Sequence, residues 1–263
     1  MMQRVPSDGL QLAVEDYGTG PAIVYAHGLT GSRHWSRREL APLADSYRTV
    51  IYDQRGHGDS SPVTDPQLYA PHRMAADLSA VLDALNLPQA IVGGESMGCA
   101  TTLLYALAHP ERISALFLVL PAFADEPNPG REAMKTWGRS VAHLGIDRFA
   151  RKNQESEIQA GCDAESAAAW AGILRCHQTE SLATALQTVA DWVILPDLSP
   201  LARLNIPVQL LAAPNNTLHP LALAERMAAA LPNARLHVLA SPDETLANPP
   251  IVGHVLRRFL QSL

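Results

Sequence analysis

Cysteine is scarce in this chain of 263 residues and follows no recognisable pattern. The three cysteines, Cys99, Cys162 and Cys176, are odd in number and widely spaced. A disulfide framework needs paired cysteines, and a zinc site needs cysteine or histidine ligands at short intervals. The sequence therefore predicts neither a disulfide-stabilised fold nor a metal site.

Long apolar runs and an excess of basic residues are also missing. No stretch approaches the ~20 apolar residues of a membrane-spanning helix, and the polar N-terminus has no signal-peptide pattern. Lysine and arginine number 20 against 26 aspartate and glutamate residues, which gives a net charge of −6 at pH 7. Proteins that bind nucleic acid present basic surfaces instead. We therefore expect a cytoplasmic protein that binds neither membranes nor nucleic acid.

Hydrophobic residues make up 47% of the chain and are arranged as alternating strand and helix patterns. Strand-like runs separated by helical patterns include "AIVYA", "RTVIYD", "AIVGG" and "ISALFLVL". This alternation predicts an α/β fold with a mostly parallel, doubly wound sheet covered by helices on both faces. Ligands of such sheets bind beyond the carboxyl ends of the strands. We therefore expect the functional site where these strands end.

The α/β pattern is interrupted between residues 123 and 200. This stretch has amphipathic helical patterns and no strand run, and the strand pattern resumes with "VQLLAA". We predict a core formed by residues 1–122 and 201–263, with residues 123–200 inserted as a helical lid over the carboxyl-end face. Three tryptophans of the insertion are expected to pack its helices together: Trp137, Trp170 and Trp192.

A candidate nucleophile lies between a strand and a helix, in "GESMG" at residues 94–98. Small residues on both sides of Ser96 permit the tight turn that raises a serine hydroxyl above the sheet. The amide of Met97 would then point into the same space, where it could stabilise an oxyanion. An ordinary turn with a serine at the start of a helix would have the same sequence pattern.

A second glycine-containing turn, "HGLTGSRHW" at residues 27–35, follows an earlier strand. Glycine lets the backbone approach a ligand closely, and the amide of Leu29 is the expected second oxyanion donor. An unremarkable strand-to-helix loop is the alternative. Taken together, the order and spacing of the two turns favour one particular α/β fold over two unrelated loops.

The order of these motifs resembles the α/β-hydrolase superfamily over essentially the whole chain. The matching stretches are "HGLTG", "YDQRGHGDS", "GGESMGCATTLLYALAHPERI" and "PVQLLAAPNNTLHP", and the pattern is most similar to small esterases and enol-lactone hydrolases. The resemblance implies a Ser–acid–His triad with Ser96 as nucleophile. It places the acid in the loop that follows the strand after the lid, and the histidine in the loop after the last strand.

Both later triad positions depart from the family pattern. Asn216 stands where the acid is expected, and the loop "ASPDETLANPP" at residues 240–250 contains no histidine. An asparagine can orient an imidazole, but without a histidine the serine lacks its base. Asp243 or Glu244 could replace it only if burial raised the carboxyl pKa.

Other residues could complete the site. His219, three residues beyond Asn216, is a candidate base, and the remaining candidates are His34 near the first turn and His143 and His177 on the insertion. An acid from the loop after "LFLVL", Asp125 or Glu126, and a displaced acid–base role for Glu95 are further alternatives.

Two functions remain open on this basis. The first is hydrolysis of a small ester, thioester or lactone through Ser96, without a cofactor and with an atypical or incomplete triad. The second is a non-hydrolytic role in the same fold: small-molecule binding, or cofactor-free carbonyl or proton-transfer chemistry. Either way, the expected ligand is a small acyl or carbonyl compound.

Overall fold

Eight strands form one sheet at the centre of the computed structural model, which describes all 263 residues. The strands are β1 (Met2–Ser7), β2 (Leu10–Tyr17), β3 (Ala22–Ala26), β4 (Arg48–Tyr52), β5 (Ala90–Glu95), β6 (Ile113–Val119), β7 (Val208–Ala212) and β8 (Ala234–Val238). Their order across the sheet is β1-β2-β4-β3-β5-β6-β7-β8. β2 runs antiparallel to both of its neighbours, β1 and β4, and all the other neighbouring pairs are parallel. The mostly parallel, doubly wound α/β fold predicted from the sequence is confirmed.

The first strand was not predicted. β1 is an edge strand that buries only Val5, so it lacks the apolar alternation of a half-buried strand. Its pairing with β2 depends on the turn at Asp8 and Gly9, whose φ angles of 51° and 78° are the left-handed values of a tight hairpin.

Ten helices surround the sheet. They are α1 (Arg33–Leu40), α2 (Pro71–Ala84), α3 (Met97–Ala108), α4 (Arg131–Leu144), α5 (Ile146–Gln159), α6 (Ala164–Leu174), α7 (Thr179–Val189), α8 (Leu221–Ala230), α9 (Glu244–Ala247) and α10 (Ile251–Leu260). No helix combines the length and the apolar content needed to cross a membrane.

Alternation along the strands builds a core on each face of the sheet. Val24 of β3 packs in a cluster with Leu78 of α2 and Leu103 of α3. Its neighbour Ile23 belongs to the opposite cluster, which contains Phe259 of α10. The central strands are therefore held rigidly between two helical layers, and their carboxyl ends are fixed in space.

Four consecutive helices, α4 to α7, lie between β6 and β7 and are called here the four-helix segment (131–189). Its buried side chains join a third apolar cluster that includes Met97 and Ala100 of α3. The segment therefore packs over the carboxyl end of β5. The division at residues 123 and 200 into core and lid stays a prediction.

Candidate functional site

Ser96 occupies a strained turn between β5 and α3. Its φ of 52° and ψ of −108° lie outside the regions that non-glycine residues ordinarily adopt. The strain is held by the flanking strand and helix and by a 2.8 Å hydrogen bond from the Ser96 amide to the Val119 carbonyl. Such strain costs about 1–3 kcal/mol and is concentrated at functional sites.

The glycines on either side of Ser96 permit close backbone packing. A Cβ atom on Gly98 would come within 2.0 Å of the Ala26 carbonyl oxygen, at the end of β3. A Cβ atom on Gly94 would lie 2.4 Å from the carbonyl carbon of Gly98. The sequence has glycine at both positions because no larger residue leaves room for the turn.

The imidazole of His219 reaches the Ser96 hydroxyl. His219 Nε2 lies 3.0 Å from Ser96 Oγ, across the ends of β7 and β5. This distance is within the range for a base that takes the proton of a serine nucleophile.

Asn216 holds the loop that carries His219. Its side-chain oxygen accepts hydrogen bonds from the amides of Leu218 and His219, both at 3.1 Å. This is the local side-chain-to-backbone turn that asparagine favours. Asn216, which stands at the usual acid position, therefore contacts the backbone of His219 and not its ring.

The second ring nitrogen of His219, Nδ1, is buried without a hydrogen-bond partner. Burial lowers the pKa of His219 to about 4, because the charged ring loses its hydration. At neutral pH the ring is therefore uncharged. If Nε2 accepts the serine proton, the ring proton resides on Nδ1, where no carboxylate stabilises it.

The loop at residues 27–31 faces the serine from the end of β3. Gly28 and Leu29 line the same cavity as Ser96, and the Leu29 amide makes no backbone hydrogen bond. Met97 is the first residue of α3, so its amide has no partner within the helix. Both amides are available to a ligand, and their oxyanion role stays a prediction.

None of the other histidine candidates lines the cavity that contains Ser96. His34 and His143 are exposed. The buried His177 hydrogen-bonds to Gly58 and Thr30. Of the acids proposed beyond β6, Asp125 and Glu126 both pair with Arg226.

The loop at residues 240–250 also reaches the cavity, although it carries no histidine. Pro242 and Asp243 line the cavity. Glu244 instead accepts a 2.6 Å hydrogen bond from the Ala240 amide and holds its own loop. Neither carboxylate is hydrogen-bonded to Ser96 or His219.

Two glutamates lie near the nucleophile, Glu95 half-buried and Glu39 fully buried. Glu95 lines the cavity, and its carboxylate would lie 3.2 Å from a Cβ atom built on Gly28. Glu39 of α1 is fully buried, and neither of its carboxylate oxygens has a hydrogen-bond partner. Burial raises the pKa of both carboxyls. No feature of the sequence indicated Glu39.

The cavity above Ser96 has a volume of about 240 Å³. Four of its lining residues are aromatic and three are acidic, and none is a lysine or arginine: Trp35, Trp137, Phe149, Trp170, Glu95, Glu157 and Asp243. Trp137 and Trp170 thus line the cavity, and Trp170 also packs edge-on against Trp35 of α1. Trp192 packs edge-on against Phe123, with ring centroids 5.7 Å apart, as expected of a packing residue.

Comparison with known proteins identifies the family of this chain. The profile of the alpha/beta hydrolase fold matches residues 21–242. An epoxide hydrolase from Caballeronia sordidicola is 33% identical over 137 residues, which are 51% of this chain and 42% of that protein. The first curated relatives are matched over only 42%, 36% and 49% of their own lengths.

Solved structures extend the likeness in fold to the whole chain. A thermophilic esterase from Thermogutta terrifontis superposes with a TM-score of 0.82 at 23% identity, covering 100% of this chain and 98% of that one. The enol-lactonase from Burkholderia xenovorans LB400 gives 0.81 at 19% identity, covering 98% and 100%. Because the family profile matches most of the chain and Ser96 lies in the strained turn between β5 and α3, the chain belongs to the α/β hydrolase fold family.

Proposed function

We propose that the protein is a serine hydrolase of small, uncharged esters, thioesters or lactones that works with a Ser96–His219 pair. The observation that carries the proposal is the 3.0 Å approach of His219 Nε2 to Ser96 Oγ. It joins an intact nucleophile turn to a base that is neutral at pH 7, inside a cavity.

The reaction starts with transfer of the Ser96 hydroxyl proton to His219 Nε2 as Oγ bonds to the substrate carbonyl carbon. The amides of Leu29 and Met97 hold the resulting oxyanion. The tetrahedral intermediate collapses, and His219 returns the proton to the leaving alkoxide or thiolate. Water, activated by the same imidazole, then cleaves the acyl-Ser96 ester and restores the hydroxyl.

The missing carboxylate determines which substrates suit this site. Replacing aspartate by asparagine in a serine protease triad lowers kcat by about 10⁴. We therefore expect slow turnover of ordinary alkyl esters. Substrates with good leaving groups or ring strain, such as aryl esters, thioesters and lactones, place less demand on the base.

The charge of the residues that line the cavity narrows the class of substrates further. Three carboxyl groups and no lysine or arginine line the site. An anionic substrate would gain no ion pair there and would be repelled by any ionised carboxylate. The proposal therefore favours uncharged acyl compounds.

Epoxide hydrolysis, suggested by the relative from Caballeronia sordidicola, is chemically unsuited to this nucleophile. Attack of Ser96 Oγ on an epoxide carbon would form an ether, which water does not cleave under mild conditions. Attack on an acyl carbon forms an ester, which water does cleave. A serine at position 96 therefore favours acyl substrates.

The test is hydrolysis of p-nitrophenyl butyrate by the wild type, Ser96→Ala and His219→Gln, with His254→Gln on the exposed face of α10 as control. We expect loss of turnover by at least about 10³-fold in the first two variants and none in the control. Equal rates for wild type and Ser96→Ala would remove Ser96 from the mechanism.

The unpartnered Nδ1 of His219 favours a second function, in which the pair moves protons on a carbonyl ligand without forming an acyl-enzyme. Fluorophosphonate labelling separates the two functions because it needs an activated serine. Stoichiometric labelling at Ser96 supports the hydrolase, and a wild-type enzyme that resists labelling supports the second function.

A further inference from the structure

His177 links the four-helix segment to the loop that faces Ser96. It lies in the turn between α6 and α7, is 4% exposed, and reaches into the core. The Gly58 amide donates a 3.2 Å hydrogen bond to its Nδ1. Its Nε2 lies 3.2 Å from the Thr30 carbonyl oxygen. Because Nδ1 accepts, the ring proton is on Nε2, which donates to Thr30.

This contact completes a row of three histidines behind the loop. Three consecutive carbonyls face three different rings: Gly28 faces His27 Nδ1 at 2.7 Å, Leu29 faces His57 Nε2 at 2.8 Å, and Thr30 faces His177 Nε2 at 3.2 Å. The rings also contact one another, with centroids 5.2 Å apart for His27–His57 and 5.3 Å for His57–His177. His27 and His57 belong to the loops after β3 and β4, whereas His177 alone comes from the four-helix segment.

Planar peptides transmit the position of Thr30 to the Leu29 amide. The Thr30 carbonyl and the Gly31 amide share one peptide plane, so holding the carbonyl directs the amide the opposite way. That Gly31 amide donates a 3.0 Å hydrogen bond to the Gly28 carbonyl. The Gly28 carbonyl in turn shares its plane with the Leu29 amide, the expected oxyanion donor.

We infer that His177 is a positioning residue through which the four-helix segment holds the Leu29 amide in place for catalysis. This inference rests on the proposed function, because it requires an oxyanion to form at Leu29. It makes transition-state stabilisation depend on the contact between the four-helix segment and the Thr30 carbonyl.

Ser181 provides a matched control. It lies four residues after His177 on the same segment, is equally buried, and accepts a 3.0 Å hydrogen bond from the core amide of Val63. It makes no hydrogen bond to residues 27–31. Ser181→Ala therefore removes a buried contact between segment and core without touching the loop.

The experiment compares His177→Phe, His177→Gln and Ser181→Ala on p-nitrophenyl butyrate. A displaced catalytic donor costs up to about 100-fold, so we expect His177→Phe to lower kcat by about 10- to 100-fold with little change in KM. The glutamine amide can still donate to Thr30, and His177→Gln should recover part of that loss. Ser181→Ala should keep kcat within about 3-fold, as expected of a contact remote from the chemistry. Equal effects of His177→Phe and Ser181→Ala, or an effect on KM alone, would overturn the inference.

Hydrogen exchange of the peptide covering residues 27–31 gives a readout that does not depend on turnover. His177→Phe should speed exchange there and Ser181→Ala should not. Unchanged exchange in both histidine variants overturns the inference even if activity falls. If wild-type turnover and fluorophosphonate labelling are both absent, the proposed function has failed, and the exchange result still shows whether His177 holds the loop.

Discussion

The ring of His219 is held in an unusual way for a serine hydrolase. Its loop is fixed through the backbone by Asn216, and its Nδ1 has no acceptor. In a triad, a carboxylate at that nitrogen both orients the ring and raises its proton affinity. Without one, orientation comes from the loop alone, and burial leaves the ring a weaker base.

The pH dependence of activity should report this environment. A base works in its neutral form, and the pKa of His219 is lowered to about 4. Lowering the pKa extends the active range toward acid, so kcat/KM for p-nitrophenyl butyrate should stay level from pH 8 to about 5. Half of the activity should be lost near pH 4. An acid limb near 6.5, the ordinary histidine value, would contradict the burial of this ring.

Variants at Asn216 supply the control for that profile. Asn216→Asp keeps the oxygen that accepts the two loop amides and adds a negative charge beside His219. Because an adjacent negative charge favours the imidazolium, the acid limb should move up by about one pH unit. Asn216→Ala removes both loop hydrogen bonds, so kcat should fall without an upward shift of the limb.

At the scale of elements, the site depends on how tightly the turn between β5 and α3 packs against β3. Gly98→Ala would place a methyl group 2.0 Å from the Ala26 carbonyl oxygen and 2.9 Å from that of His27. Both are backbone atoms, so the strand end or the turn must move. We expect a loss of about 1–3 kcal/mol in the free energy of unfolding, measured in urea, together with lower kcat.

Gly172 in α6 is the matched comparison. A Cβ atom there meets nothing within 4 Å. Alanine at this helical position should leave stability unchanged or raise it by up to about 1 kcal/mol. If Gly98→Ala proved as harmless as Gly172→Ala, close packing would not be the reason for glycine in the turn.

The elements that could be predicted from the sequence are those whose residues have strong local requirements. Gly94 and Gly98 flank the serine because the turn admits nothing larger, so the motif and the strand-to-helix junction appear together in the sequence. β1 was not predicted because it is an exposed edge strand with one buried residue, Val5, and therefore has almost no hydrophobic pattern. Its turn at Asp8 and Gly9 was the available signal.

The sequence alone left several histidines as candidates for the base that activates Ser96. Whether His219 reaches Ser96 depends on the path of the β7 loop, and that path depends on Asn216 accepting two amides. The three-residue spacing between Asn216 and His219 is compatible with such a turn, but local spacing does not fix the distance to β5. Glu39 lies near Glu95, which is 56 positions further along the chain. His177 contacts Thr30, which is 147 positions earlier. Sequence patterns do not record contacts at that separation.

For the whole molecule, buried histidines link the site to acid stability. Burial lowers the pKa of His27 and His177 to about 3 and of His219 to about 4, and it also lowers that of His57. Below the ordinary value of 6.5, the unfolded chain takes up protons that the folded protein does not. Glu39 and Glu95 act in the opposite direction, because the raised pKa of each lets the folded protein hold a proton that the unfolded chain has released.

Glu157 also has a raised pKa, because of burial and the nearby Asp243. The four histidines still outnumber these three carboxyls, so the free energy of unfolding should fall as the pH is lowered from about 6.5 to 4.5. Each proton that only the unfolded chain binds removes about 1.4 kcal/mol per pH unit. Urea unfolding at intervals from pH 7.5 to 4.5 measures the slope. His177→Gln, which cannot take up that proton, should make the slope shallower by the amount of one proton, and His254→Gln on the exposed face of α10 should leave it unchanged. If His177→Gln left the slope of the wild type unchanged, the neutral His177 that donates to Thr30 would be ruled out.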